Sequence, residues 1–180
     1  GVFTIARDID KGAAIQIQAA AIPGIYVVPL SRREYVYGPE VSHVIGYTAQ
    51  ISPDEVTRDT EHLYQLNDRV GRLGVEYSYE KELHGERREI VLEGSTTTQL
   101  SSARSGNDLT LYIDQGVQNK LYESVYEVFR SAGVHRGAAV VQNVKTGAIV
   151  GMVSFPAFNP NYFEHGGDSL ATARISDILH

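Results

Sequence analysis

The hydrophobic and polar positions of the first 40 residues follow two kinds of pattern, one typical of a helix and one typical of short strands. Residues 11–21 are rich in Ala, Ile and Gln, which favours a helix, although the alternation Ile15-Gln16-Ile17-Gln18 also suits a strand. Pro23-Gly24 interrupts either element. The β-branched and aromatic run at residues 25–28 predicts a strand. Residues 32–37 predict a half-buried strand covered by its own long side chains, rather than a basic and aromatic binding strip.

A second set of signals predicts a helix that begins at Ser52. Ser52 is a suitable N-cap, and Pro53 is favoured at the first helical position. Glu55 is placed to complete a capping box with Ser52. We expect this helix to extend to about Leu66.

The best-defined pattern lies at residues 71–85, where glycines bound a short amphipathic segment. Gly71 and Gly74 allow backbone angles or close approaches that a side chain forbids, and Gly85 offers a C-terminal cap. Apolar residues recur between them at helical spacing: Val75, Tyr79 and Leu83. Glu76 lies in the first turn, where the helix dipole favours a carboxylate. These features by themselves predict a capped helix on a domain surface.

After this helix the pattern suggests a strand, a linker and another strand. Residues 87–93 form a mixed run bounded by glycine, which predicts a strand. Residues 95–106 are small, polar and turn-prone, and they are the best candidate for a domain boundary. Residues 109–113 predict the first strand beyond that boundary.

The next part of the chain predicts a helix followed by a β-hairpin. The helix is expected to run from Asp114, a suitable N-cap, to Gly133. Its apolar stripe comprises Val117, Leu121, Val125 and Val128. Residues 137–144 and 148–155 are apolar on both faces, which suits strands buried between helices. Lys145-Thr146-Gly147 forms the turn between them, and the tail to residue 180 predicts a loop and a short helix.

Composition restricts the classes of function. The 180 residues are 42% hydrophobic and 21% charged, as in soluble globular proteins. The net charge of -6 and the lack of Lys and Arg clusters argue against nucleic acid as a partner. No cysteine is present, and the six histidines include no pair at i,i+4 spacing, so the sequence predicts neither a disulfide nor a metal site. No apolar run approaches the ~20 residues that cross a bilayer.

Several of these segments together resemble the sequence pattern of a known protein family. The order Gly71-x-x-Gly74-x-Glu76, followed by Tyr79-Glu80-x-x-Leu83-x-Gly85, resembles the pedestal-domain motif of class B penicillin-binding proteins. Further segments follow the family pattern in the same order: residues 22–27, 33–35, 42–47, 51–55, 106–114 with Gln118, 139–141, 145–154 and 156–161. Arg88 departs from the pattern, because the family usually has another glycine there.

The resemblance implies an α+β chain made of two pieces. Residues 1–105 would form the pedestal, or dimerisation, domain. Residues 106–180 would be the opening segment of the transpeptidase domain, truncated before its catalytic serine. The residues that match the pedestal motif are expected to be structural, with no catalytic residue in this chain: Arg33, Gly46, Gly71, Gly74, Glu76 and Gly85.

The resemblance also implies a function for the full-length parent. That parent would cross-link peptidoglycan without a cofactor, by acylating a serine with a D-Ala-D-Ala stem peptide and passing the acyl group to an amine. The resemblance is stronger to the elongation type, whose partners are a SEDS-family glycosyltransferase and elongation scaffold proteins. It places the protein on the extracytoplasmic face of the bacterial membrane, held by an anchor upstream of Gly1.

Two other interpretations of the chain follow from its sequence. One is a stand-alone extracytoplasmic interaction module without enzyme activity, which is distinguished by whether the gene continues past His180 into a Ser-x-x-Lys motif. The other concerns the hairpin at residues 137–155, whose strands would lack sheet neighbours in a truncated chain. We therefore expect this chain to self-associate or to be partly disordered after Pro156.

Three short motifs match, in order, those of penicillin-reactive serine acyltransferases: Ser78-Tyr79-Glu80-Lys81, Ser105-Gly106-Asn107 and Lys145-Thr146-Gly147. That chemistry needs the serine and a deprotonated lysine together on a buried helix face. Lys81 is predicted to point away from the apolar stripe into solvent. The second motif falls in the predicted linker and the third in the hairpin turn, so we interpret all three matches as coincidence.

Overall fold

The computed structural model describes residues 5–6, 9–28, 33–66, 68–85, 90–93, 96–99 and 104–164. The chain divides into two compact units, one ending at Arg32 and the other beginning at Arg33. The second unit therefore contains described residues from both sides of the predicted boundary at residue 105. Arg88 and the predicted tail helix beyond residue 164 lie outside the described residues.

The first unit contains helix α1 (Lys11–Ala19), which confirms the predicted helix and rules out the strand alternative. Asp10 caps this helix, because its Oδ1 accepts hydrogen bonds from the backbone N–H groups of Gly12 at 2.8 Å and Ala13 at 3.0 Å. The prediction of a strand at residues 25–28 is wrong. No other strand lies among the described residues of this unit, so a strand here has no pairing partner within it.

The described helices and strands of the second unit are α2 (Ser42–Ile45), β1 (Thr48–Gln50), α3 (Pro53–Arg58), β2 (Arg69–Gly71), α4 (Gly74–Ser78), α5 (Glu80–His84), β3 (Ile90–Glu93), β4 (Thr96–Gln99), α6 (Gln115–Ala132), β5 (Gly137–Gln142), β6 (Ile149–Phe155) and α7 (Asn161–Glu164). A 3₁₀ turn, Pro39–Val41, precedes α2. The predicted strand at residues 32–37 is absent over its described part, residues 33–37. Its buried Tyr35 obtains backbone hydrogen bonds from a side chain instead of from a neighbouring strand.

Helix α3 begins as predicted but ends early. Ser52 and Glu55 form a complete capping box, in which each side chain bonds the other residue's backbone N–H. The helix ends at Arg58 instead of near Leu66. Asp59 explains the early end, since its carboxylate accepts from the backbone N–H groups of Glu61 and Tyr64, and such local bonds compete with a helix.

Removal of this cap gives a first testable prediction. Ser52→Ala is expected to lower the free energy of unfolding by about 1 kcal/mol, because the Glu55 N–H loses its acceptor. Urea titration followed by circular dichroism measures the change. Ser131→Ala is a suitable control, because Ser131 donates only to the Val128 carbonyl on exposed α6 and should cost less than about 0.5 kcal/mol. Equal losses in the two variants would contradict the capping account.

The single helix predicted in residues 75–83 is divided into α4 and α5 at Tyr79. Tyr79 has φ -120° and ψ 29°, outside helical values, and its side chain is exposed rather than part of an apolar stripe. Gly85 ends α5 at φ 72°, as predicted for a C-terminal glycine.

The described strands pair as three antiparallel two-stranded sheets. β1 pairs with β2 in the register Thr48↔Gly71, and β3 pairs with β4 in the register Ile90↔Gln99. β4 corrects the prediction of a turn-prone linker at residues 95–99, since its three consecutive threonines are β-branched and suit a strand. The third sheet is the hairpin β5–β6.

Helix α6 and the hairpin β5–β6 agree with the sequence pattern. Asp114 caps α6 through the Val117 N–H at 2.9 Å, and Gly133 ends the helix at φ 66°. The helix packs against β6, where Val117 lies beside Gly151. Three other predictions need correction. Residues 109–113 form no strand, and Val128 is exposed instead of belonging to the apolar stripe of α6. Val140 on β5 is 54% exposed, so the described residues do not cover the hairpin on both faces.

Candidate functional site

The glycines of the sequence motif bring two backbone segments into direct contact. A Cβ on Gly46 would lie 1.7 Å from the carbonyl oxygen of Leu73, and one on Gly74 would lie 2.5 Å from the carbonyl oxygen of Val44. Both glycines have positive φ, +81° and +60°. The end of α2 and the start of α4 therefore meet at a distance that only glycine permits.

Gly71 extends this close contact into α4. Its added Cβ would lie 2.0 Å from the carbonyl oxygen of Glu76, so β2 and α4 also touch backbone to backbone. The N–H of Gly71 donates to Oε2 of Glu80 at 2.6 Å. Three of the predicted motif glycines thus hold α2, β2 and α4 together.

Glu76 and Arg33 form an ion pair beside these glycines. The two side chains meet at 3.1 Å, and Glu76 is only 5% exposed. Burial raises the pKa of the Glu76 carboxyl, and the nearby Arg33 guanidinium opposes that rise. The prediction that Glu76 lies on a surface helix is therefore wrong, because its partner lies 43 residues earlier and local spacing does not show it.

Gly85 lies at a separate crossing, between the end of α5 and the chain at residues 104–107. A Cβ on Gly85 would lie 2.5 Å from the carbonyl oxygen of Arg104, and one on Gly106 would lie 2.1 Å from that of Leu83. The N–H of Asn107 donates to the Glu82 carbonyl at 2.7 Å. The structure therefore gathers Arg33, Gly46, Gly71, Gly74 and Glu76 at one place and Gly85 at another. Their assignment as the family's structural motif stays a prediction.

A second ion pair fixes α3 to the end of β2. Arg72 donates to both carboxylate oxygens of Glu55 and to the Gln50 carbonyl at 2.9 Å. The hydrogen bond from Arg72 holds the pKa of the Glu55 carboxyl well below its ordinary value. The cleft next to this pair, about 330 Å³ in volume, has an apolar floor of Ile51 and Val70.

The segment that follows the hairpin, residues 156–164, packs onto residues 35–48. The side chain of Asn161 replaces a strand partner for Tyr35, accepting from its N–H at 3.0 Å and donating to its carbonyl at 2.9 Å. The aromatic rings of this contact pack stacked or edge to face: His43, Tyr47, Phe158 and Phe163. Residues 156–164 are thus packed onto residues 35–48. The expectation that the chain self-associates or is partly disordered after Pro156 stays a prediction. Residues 165–180 lie outside the described residues.

Gln118 is a second link between α6 and the segments around it. It lies near the start of α6, beside the predicted apolar stripe, and its fully buried side chain is polar. Its Nε2 donates to the carbonyls of Glu40 and Met152, and its Oε1 accepts from the Met152 N–H at 2.8 Å. α6, β6 and the 3₁₀ turn before α2 are therefore joined through one amide. Sequence reasoning used Gln118 only as a family match and did not predict this role.

The three penicillin-enzyme motifs lie on different elements. Ser78 ends α4 and Lys81 belongs to α5, where its side chain is 77% exposed, which confirms that it points into solvent. Residues 105–107 form a loop, as predicted, and the turn at residues 144–146 includes Lys145 and Thr146 of the third motif. Ser78 and Lys81 thus do not lie together on one buried helix face, so this arrangement does not supply the activated serine that acyl transfer needs.

The described part of the chain has no cluster of metal ligands and no helix able to span a membrane. Within it, no three His, Cys, Asp or Glu side chains gather closely enough to hold a metal ion. None of its helices combines the length and the apolar character that a membrane crossing needs.

A family match agrees with this fold. The family described as the Penicillin-binding Protein dimerisation domain matches residues 2–111, which is more than half of the sequence. The chain therefore belongs to the penicillin-binding protein dimerisation-domain family, and its α+β fold is that of a class B pedestal domain.

Similar full-length proteins are peptidoglycan D,D-transpeptidases by name. MrdA of Acinetobacter baumannii is 35% identical over 150 residues, covering 80% of this chain and 21% of the relative. MrdA of Escherichia coli K12 is 31% identical over 164 residues, covering 86% of this chain and 25% of the relative. The chain thus spans about a fifth to a quarter of the length of these curated relatives.

A solved structure shows the same architecture in a complex. The penicillin-binding protein PBP2 from Helicobacter pylori, solved with MreC, superposes with a TM-score of 0.68 at 25% identity. The match covers 94% of this chain and 31% of the PBP2 chain.

Proposed function

We propose that this chain is the non-catalytic pedestal part of an elongation-type class B penicillin-binding protein. Residues 1–105 form the pedestal, and residues 106–180 begin a transpeptidase domain whose catalytic serine follows His180. The family match and the MrdA and PBP2 relatives support this assignment. The described residues also offer no activated serine, since Ser78 and the solvated Lys81 lie on different short helices.

The observation that carries the proposal is the packing of residues 156–164 on residues 35–48. Asn161 binds both backbone groups of Tyr35, and Gln118 binds the backbone of Glu40 and Met152. The contacts are directional and partly buried, so they fix how the chain after the hairpin leaves the pedestal. The pedestal would thus act mechanically, by holding the transpeptidase domain at one height and orientation.

The remaining parts of the proposal follow from the similar proteins. The full-length parent would cross-link peptidoglycan by serine acyl transfer, without a cofactor, on the extracytoplasmic face of the bacterial membrane. Its partners would be a SEDS-family glycosyltransferase and an elongation scaffold protein, and the PBP2 complex with MreC supports the second of these. Self-association through the hairpin β5–β6, whose strands pair only with each other among the described residues, belongs to the same proposal.

Intact-protein mass spectrometry after incubation with a penicillin tests this function. The 180-residue chain is expected to gain no acyl mass, whereas the protein extended past His180 is expected to gain one penicillin adduct. Ser78→Ala, made in both forms, is the control and should change neither result. Acylation of the shorter chain that disappears in Ser78→Ala would disprove the proposal. A gene that ends at His180 would instead favour the stand-alone interaction module.

A further inference from the structure

An ion pair between a buried carboxylate and a partly exposed guanidinium joins α7 to the sheet of β1 and β2. The carboxylate of Glu164 is 1% exposed and lies 3.0 Å from Nη2 of Arg69 on β2. The same Nη2 donates to the carbonyls of Thr48 on β1, at 2.6 Å, and Phe163 on α7, at 2.7 Å. One guanidinium therefore connects β1, β2 and α7, although Arg69 and Glu164 are 95 residues apart and Thr48 and Glu164 are 116 residues apart in sequence.

Only one of the two carboxylate oxygens of Glu164 accepts hydrogen bonds from the described residues. Its Oε1 accepts from Arg69 Nε at 3.1 Å and from the Thr48 hydroxyl. Its Oε2 is buried and has no hydrogen-bond partner among the described residues. A buried carboxylate with half of its acceptor capacity unused has lost hydration without full compensation. Such an ion pair adds little net stability, yet the attraction between its two charges depends strongly on their relative position.

We propose that Arg69 and Glu164 form a registering latch, which selects one position of residues 156–164 on β1 and β2 instead of adding net stability. Asn161 orients the segment at Tyr35, but the apolar packing around the end of α7 is less directional and would tolerate small shifts of that end. The guanidinium of Arg69 does not tolerate such a shift, because movement of Glu164 away from it leaves the carboxylate buried and unpaired. The latch acts within this chain and is independent of any enzymatic activity.

The double variant Arg69→Met with Glu164→Leu tests the latch, because it replaces the pair with apolar side chains of similar length. We expect a melting temperature within about 3 °C of the original chain, since well-packed apolar replacements of buried ion pairs are commonly neutral. We also expect the amide hydrogens of Tyr35 and Phe163 to exchange at least tenfold faster by NMR. The Tyr35 amide reports the position of the segment, because it bonds to Asn161, and the Phe163 amide reports the local turn of the segment, because it bonds to Pro160. The amide of Gln118, bonded to Asp114 within α6, serves as the internal reference.

A neighbouring ion pair provides the matched control. Arg72→Met with Glu55→Gln removes a pair at the end of the same strand that contacts α3 and β1 but not residues 156–164. It should leave exchange at Tyr35 and Phe163 within twofold of the original chain. Glu164→Gln keeps the shape of the side chain and removes its charge, and it should speed exchange at both amides at least threefold.

Three outcomes overturn the latch. Unfolding of the double variant would show that the pair supplies stability. Unchanged exchange at Tyr35 and Phe163 in both Glu164 variants would show that other contacts fix the segment. Equal acceleration in the control pair at Arg72 would show that the effect is not specific to this contact.

Discussion

Gly46→Ala is expected to lower the free energy of unfolding by more than about 3 kcal/mol, which is a large part of the stability of an ordinary domain. The residue has φ 81° and ψ -150°, a region that is essentially limited to glycine. Its added Cβ would also lie 1.7 Å from the Leu73 carbonyl oxygen, which is backbone and cannot move as a flexible side chain could. Strain and overlap act together, so relief requires that α2 and α4 separate.

Gly133→Ala measures the cost of a left-handed backbone without steric overlap. Gly133 has a similar φ of +66°, but no atom lies within 4 Å of the position of its Cβ. The left-handed backbone alone should cost about 1 kcal/mol. Urea unfolding of both variants, with tyrosine fluorescence and circular dichroism as probes, measures the difference. If Gly46→Ala costs no more than Gly133→Ala, the close contact of α2 with α4 is not important for stability.

Arg33→Ala is expected to lower the free energy of unfolding at neutral pH by about 2–3 kcal/mol, because it leaves the Glu76 carboxylate buried without its ion-pair partner. The loss stays below the upper range for buried pairs, since Arg33 is 42% exposed and water can enter the space that it leaves. Arg130→Ala is the matched control. It removes a surface pair with Glu127 on α6, and it should change stability by less than about 0.5 kcal/mol.

The effect of Arg33→Ala should depend on pH. The folded-state pKa of Glu76 is already raised by burial, and it should rise further when Arg33 is removed. A carboxyl with a raised folded-state pKa supports the fold below its ordinary pKa, and that support is lost as pH rises through the folded-state value. The variant should therefore lie closest to the original chain in acid, with a deficit that grows toward neutral pH.

Glu76→Gln provides the rescue for this prediction. The double variant Arg33→Ala with Glu76→Gln should recover most of the stability at neutral pH, because a neutral amide costs less to bury than a carboxylate. Its stability should also lose most of the pH dependence. A deficit of Arg33→Ala that is the same at pH 4.5 and pH 7.5 would show that lost packing of Arg33, rather than the buried charge, is responsible.

The sequence by itself determined the features that depend on neighbours a few residues apart. Ser52 with Glu55 indicated the start of α3, and Asp114 with Gly133 indicated both ends of α6. Caps and turn glycines act through bonds to the adjacent backbone, so their effect is visible in local spacing. The family motif also identified glycines that need a special backbone, although spacing did not show what each of them touches.

Only the tertiary structure decided which polar groups would be buried. Glu76, Gln118 and Glu164 look like ordinary polar positions in sequence, yet their partners lie 43, 34 to 78, and 95 to 116 residues away. The break of the central helix at Tyr79 and the strand at Thr96–Gln99 were likewise missed. A side chain can be buried with a charge or an amide only when a distant partner satisfies it, and the fold brings that partner into place.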